Sequence, residues 1–423
     1  MLKKHSYLLL GIVTLLAGCQ SGYNGQLLGS LDRPGWNVTI PYGMVYIRSG
    51  TLHIGQNDQD INNSMTQRTK AVSVQGFFMD ETEITNNEYR QFVEWVKDSI
   101  AHTILGEDYM LETENGDERV NWDAQIDYSD PELQESLDEM YFPEEQRILG
   151  KREIDPRNLN YVYYWVDYKE ASRNVNRLNP DFDRTTVIKE EIVNVFPDTL
   201  SWVHDFAYSY NEPMTRNYFW HPSFDNYPVI GVTWNQAMAF SKWRTRLWND
   251  FLTANGEATN DEFRLPTEVE WEYAARGGRE LAPYPWGGPY MRNKKGCILA
   301  NFKPGRGNYP DDGGMYTVKA DAYFPNDYGL YNMAGNVAEW TSSAYYENSY
   351  NFQHDLNPDI RYDVEAGDPI TMKRKVIRGG SWKDIAYLCQ VGTRNYEYQD
   401  TAKCYIGFRD VITFLGRSID DRP

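Results

Sequence analysis

Hydrophobic and polar residues alternate over Met44 to Ile47 and over Leu52 to Ile54, with Ser49 and Gly50 between them, a pattern that predicts a β-hairpin. Val72 to Met79 predicts a further strand. The period then changes. Thr85 stands three residues before Glu88, and Tyr89, Phe92, Val93 and Val96 follow at helical spacing. The same start signal recurs at Thr233 with Gln236, ahead of Phe240, Trp243 and Leu247, and at Thr267 with Glu270, ahead of Trp271 and Ala274 to Ala275. Three helices are thus marked by capping boxes. Beyond Gly277 and Gly278 the chain is rich in Gly, Pro, Asn and Asp, its apolar pieces are short, and no long helix is predicted. Such a pattern describes an α+β domain of irregular loops over small sheets. Between Val96 and Tyr227 the texture differs: acid-rich from Glu107 to Glu145, then aromatic from Leu159 to Tyr168. This stretch, 97–226, reads as an insertion, and one so long is uncommon unless it has a role.

The N-terminus carries a different pattern. Lys3 and Lys4 precede an apolar run from Tyr7 to Gly18, short for a bilayer span and shaped like a signal-peptide core. It closes on Leu16-Ala17-Gly18-Cys19, which resembles a bacterial lipobox and makes Cys19 the expected lipidation site. Residues 1–18 would then be removed, 19–40 would form a tether, and the folded domain would occupy 41–415 before a tail at 416–423. The residues after Cys19 lack Asp and Glu, which predicts an outer-membrane anchor facing the periplasm.

Composition narrows the classes. With 42 Lys and Arg against 61 Asp and Glu the formal charge is −19, so a phosphate backbone would be repelled and nucleic acid is excluded as the expected partner. Aromatics at 15%, among them 32 Tyr and 13 Trp, predict a folded chain with a Trp- and Tyr-rich core. Besides Cys19 there are Cys297, Cys389 and Cys404, an odd number without a C-x-x-C spacing. The six His are scattered, which gives a zinc hydrolase site little support.

Four segments carry chemistry-sized motifs: Gly43 to Gly50 with Met79-Asp80-Glu-Thr-Glu83-Ile-Thr-Asn86; Arg264-Leu-Pro-Thr-Glu-Val-Glu-Trp-Glu-Tyr-Ala-Ala-Arg-Gly-Gly278; Tyr328 to Thr341; and Val376-Ile-Arg-Gly-Gly-Ser-Trp382 with Gly407-Phe-Arg409. In this order they resemble the formylglycine-generating-enzyme/sulfatase-modifying domain, a fold related to C-type lectins. That resemblance implies calcium on the Asn332 and Glu339 side chains with the Gly335 and Val337 carbonyls. It implies a second calcium on Asn301 with the Phe302 carbonyl and on Asp312 with the Gly314 carbonyl. A hard cation wants six to eight oxygens. An Asx turn and a buried Glu satisfied by amides is the other reading of the same residues. The oxidases of the family use two cysteines to hold copper(I); on the Gly379-Gly380-Ser381-Trp382 motif these fall on Asp384 and Cys389, so one thiolate is absent and no copper is expected.

Lipobox, sorting residues, fold and insertion together look like the gliding-motility lipoprotein K family of the type IX secretion system. This likeness implies a structural, non-enzymatic role: a periplasmic ring with a soluble partner, the N component, and self-association under the outer membrane. A sister J-type lipoprotein and a formylglycine-generating oxidase acting on sulfatases are the alternatives.

Overall fold

A computed structural model describes Trp36 and residues 38–55, 69–112, 116, 118–364 and 367–416. The signal, the lipobox and most of the tether lie outside the described residues. Fourteen strands appear in the order β1 (Met44–Ile47), β2 (Gly50–Ile54), β3 (Lys70–Val74), β4 (Phe77–Asp80), β5 (Met110–Glu112), β6 (Glu118–Val120), β7 (Asn160–Val166), β8 (Ile188–Asn194), β9 (Phe263–Arg264), β10 (Ala338–Ala344), β11 (Arg374–Arg378), β12 (Asn395–Tyr398), β13 (Ile406–Gly407) and β14 (Val411–Thr413). Three longer helices accompany them: α1 (Asn86–Leu105), α2 (Trp234–Ala254) and α3 (Glu268–Arg276). The architecture is the loop-rich α+β fold the sequence predicts.

Each long helix starts as its capping box dictates. Thr85, Thr233 and Thr267 accept from the N–H three residues on, while Glu88, Gln236 and Glu270 reach back to the cap N–H. Helix α3 ends on Gly277 in the left-handed region, which the absence of a Cβ allows.

The first hairpin differs from its prediction. β1 pairs with β4, Met44 opposite Asp80, whereas β2 pairs with β3, Gly50 opposite Val74. The predicted strand Val72–Met79 is accordingly two strands, with Gln75 and Gly76 between them. Gly50 is glycine for a close approach and not for a turn: a Cβ there would lie 2.3 Å from the Tyr273 hydroxyl.

Two four-stranded sheets organise the body. One runs β1-β4-β14-β9, the other β12-β11-β10-β13, and only the β10–β13 pair is parallel. Apolar faces of α1 and α2 meet over the second sheet, with Tyr89 stacked on Phe240 at 5.6 Å and Phe92 against Trp243 at 5.2 Å between ring centroids. Trp340 of β10 and Trp271 of α3 are wholly buried. The 97–226 stretch begins inside α1, and its part beyond Leu105 seats itself on the α1 side of this core: Tyr161 of β7 meets Phe92 edge-on at 5.3 Å, and Leu137 and Met140 pack on Ala101. No described helix is long and apolar enough to cross a membrane.

Candidate functional site

Strand β11 runs into Gly379 and Gly380, both at positive φ (+89° and +68°). A Cβ on Gly380 would sit 2.7 Å from the Leu388 carbonyl oxygen and 2.9 Å from Cys389 Sγ, so this turn admits glycine alone. It opens a cavity of about 370 Å³ lined by Arg378, Gly379, Gly380, Lys383, Asp384 and the edge strand β12 with Tyr405. On β12 the Tyr396 N–H donates to Asn395 Oδ1 (2.8 Å) and the Tyr398 N–H to Glu397 Oε1 (3.0 Å). This wall therefore presents side chains rather than free amides.

Asp384 and Cys389, the two positions on which the oxidases' copper cysteines fall, differ in environment. The Asp384 carboxylate accepts from Ser381 Oγ (2.6 Å) and Lys383 Nζ (3.0 Å). Cys389 is fully buried among Tyr284, Met291, Ala300, Phe302 and Ala334, and burial, with the Asp384 charge adding to it, pushes its thiol well above the usual range. Copper(I) asks for soft thiolates. One neutral thiol beside a carboxylate already engaged by an ammonium and a hydroxyl does not fit that ion.

The calcium expectations divide. Glu339 is wholly buried and both its oxygens are occupied: Arg409 Nη2 at 2.6 Å on Oε1, Arg409 Nε at 2.8 Å and Trp271 Nε1 at 2.7 Å on Oε2. Asn332 does not reach it. At φ +52° its amide donates to Glu83 Oε2 (3.0 Å) and the Ala320 carbonyl (2.9 Å). Gly335 gives its N–H to the Gly379 carbonyl, and Val337 packs beside Trp202 and Trp382. A guanidinium on the only carboxylate leaves this set unfit for a divalent cation. In the second set Asp312 accepts from the Phe302 N–H (2.7 Å) and the Gly314 N–H (3.0 Å), and Asn301 donates to the Tyr316 carbonyl at 2.8 Å, so its contacts are those of an amide-satisfied Asx turn and do not include the Phe302 and Gly314 carbonyls. No group of three His, Cys, Asp or Glu placed to hold a metal occurs among the described residues.

Sequence reasoning missed Glu83 as the centre of a polar core. It is wholly buried; Asn332 and Asn336, both at positive φ, donate to its two oxygens, and burial lifts its pKa from 4.5 to about 8 against the pull of Arg409. Its signal was present in Asp80-Glu-Thr-Glu83, where Glu83 stands three residues beyond a strand of four buried residues. A second buried network joins α3 to β11: Glu272 pairs with Arg276 (2.6 Å) and Arg378, while Glu268 pairs with Arg394 (2.8 Å) and accepts from Tyr350 (3.1 Å). These charges fix the Gly379–Gly380 turn against the helix.

A loop-rich domain with a glycine turn over a single thiol and a buried acid–asparagine core defines a sulfatase-modifying-type scaffold. The chain belongs to the sulfatase-modifying factor enzyme 1-like domain family, whose model matches residues 37–414. It is similar to a formylglycine-generating enzyme of Bos taurus (26% identical over 383 residues, 89% of this chain and 76% of that protein). It is also similar to one of Thermomonospora curvata (34% over 193 residues, 44% of this chain and 55% of that protein). An inactive C-alpha-formylglycine-generating enzyme 2 of Bos taurus matches at 34% over 189 residues, 43% of this chain and 49% of that protein. The chain thus spans about half the length of the latter two. These relatives correct the expectation of a structural ring lipoprotein without enzymatic activity: curated relatives carry an enzyme's name, and the similarity favours the sulfatase-directed alternative.

Proposed function

We propose that this chain is a formylglycine-generating modifying factor that receives an extended, cysteine-bearing segment of an exported sulfatase in the groove at the end of β11. The observation that carries the reading is family membership across residues 37–414 together with that groove, where Gly379 and Gly380 bring bare backbone to an opening lined by Lys383, Asp384 and Tyr405, with the buried Cys389 thiol behind Gly380. In this reading Lys383, held 4.0 Å over the Tyr405 ring and against Asp384, offers one cation at the groove mouth, and Glu397 and Tyr398 shape the facing wall. Cys19 is the proposed lipid anchor, placing the domain at the periplasmic face of an outer membrane, and Asn301, Phe302, Asp312 and Gly314 are the proposed calcium residues.

The test is direct. Purified chain is incubated in air, with and without added copper(I), with a peptide carrying a sulfatase-type cysteine, and aldehyde is trapped with a hydrazide and read by mass. Aldehyde formation supports the reading. A peptide that binds and stays unmodified overturns it and groups the chain with the relative named inactive.

A further inference from the structure

The β7–β8 ribbon has an outer face that no described residue covers. Residues opposite one another in an antiparallel pair share a face, and the register places Val162 opposite Ile192, Tyr164 opposite Glu190 and Val166 opposite Ile188. The inner face, with Tyr161 and Tyr163, packs on α1 and α2. Asn160 opposite Asn194 completes this outer face at its foot, where Asn194 is half-buried; the other seven residues are exposed, Tyr164 at 63% and Ile192 at 64%. Five of the eight are apolar, and they are contiguous. A polar residue at these positions would keep the inner packing and remove the solvent-facing hydrophobic surface, so a contiguous strip here marks an interaction surface.

What it fits is set by charge. Between residues 97 and 226 there are 28 Asp and Glu against 12 Lys and Arg, so this stretch holds nearly all of the chain's net negative charge. Within 107–145 the count is 15 acids to one base, Arg119. The part of that block from 118 to 145 meets the ribbon through α1 and at the foot of β7. Trp122 stacks near Trp95 at 5.1 Å, Trp95 meets Tyr161 at 6.0 Å, and Asn158, beside the foot of β7, donates to the Glu139 carbonyl at 2.9 Å. A second copy would bring the same negative field against itself, which disfavours self-pairing. We propose that the outer face of β7–β8 docks a cationic polypeptide partner, whose apolar side chains cover Val162, Tyr164, Val166, Ile188 and Ile192 while its Lys and Arg face the acids of residues 118–145. The proposal stands apart from the groove and from any modification made there. Affinity resides in the apolar centre, as interface energy generally does, and the acids set association rate and register.

The full chain is titrated with a fluorescein-labelled decapeptide of alternating leucine and lysine, and with its leucine–glutamate counterpart, followed by anisotropy at low and raised salt. The leucine–lysine peptide is expected to bind, more weakly as salt rises, and the leucine–glutamate peptide not to bind. Val162→Ser/Tyr164→Ser/Ile192→Ser is expected to lose about tenfold or more in affinity with an unchanged circular dichroism spectrum, and Tyr164→Ala alone gives the same direction should the triple variant fold poorly. Glu132→Lys/Glu135→Lys/Glu139→Lys is expected to slow association most at low salt. Equal binding by the face variants would overturn the proposal in favour of charge alone. Wild-type dimers that the triple variant abolishes would overturn it in favour of a second copy.

Discussion

Replacing Glu83 with Gln tests the buried polar core through its pH dependence. The carboxyl ionises near 4.5 when the chain is unfolded and near 8 in the fold, because burial outweighs the Arg409 charge and the two asparagine amides. A folded pKa above the unfolded one means that the native state holds the proton longer. Its contribution is fully present below about pH 4.5 and is lost as pH rises through about 8. At about 1.4 kcal/mol per unit, the interval amounts to on the order of 5 kcal/mol. Gln cannot titrate. It does place an amide N–H₂ against Asn332 or Asn336, whose own amides already donate to the Ala320 and Val318 carbonyls and cannot turn freely, at a pH-independent cost of about 1–3 kcal/mol. Urea unfolding followed by tryptophan fluorescence between pH 5 and 9 is therefore expected to show Glu83→Gln less stable than wild type at the acid end and as stable or more so at the alkaline end. Asp410, lifted to about 7 by burial despite Arg244, titrates in both proteins and cancels in the difference. Parallel curves across the range would refute the reasoning and mean that Glu83 stays charged throughout.

Other outcomes follow from the same geometry. Gly380→Ala should destabilise by about 2 kcal/mol or more, through left-handed backbone and collision with the Leu388 carbonyl, and denaturant midpoints check it. Arg409→Met strips Glu339 of its ion-pair partner and removes the Arg409 donors from the Asp80 and Tyr331 carbonyls, a loss of about 3–5 kcal/mol visible as a lowered urea midpoint. If calcium occupies the Asp312 set, chelator lowers the melting temperature of wild type and not of Asp312→Asn, the ligand being worth about 2.7 kcal/mol at a hundredfold excess over its Kd; an unchanged wild-type melt in chelator removes that proposal.

Local signals were readable in the sequence and non-local ones were not. The three helix starts were legible because a capping box is closed within four residues. The β1–β2 hairpin misled because Ser49-Gly50 looks like a turn, whereas β1's partner β4 is chosen by the C-terminal β14 on its other side and Gly50 is reserved for Tyr273 of α3. Asn332 and Glu339 fall seven positions apart in a motif and suggested one cage. Their partners, Glu83 and Arg409, lie some 250 and 70 positions away, and spacing carries no information about them. The Gly379–Gly380 turn and the Asp384/Cys389 positions were legible as motif; the depth of Cys389 and the acid–base network behind Arg378 were not, because they depend on α3 packing under the sheet.

The central claim, that this groove serves formylglycine generation, is tested most directly by co-producing the full chain with a sulfatase and reading the sulfatase's active-site cysteine by mass spectrometry, with Cys389→Ser alongside. The account predicts aldehyde in the presence of wild type and its loss with Cys389→Ser, compared at equal amounts of folded chain by circular dichroism because the serine hydroxyl enters an apolar pocket. Unmodified cysteine beside abundant, folded wild-type chain would contradict it.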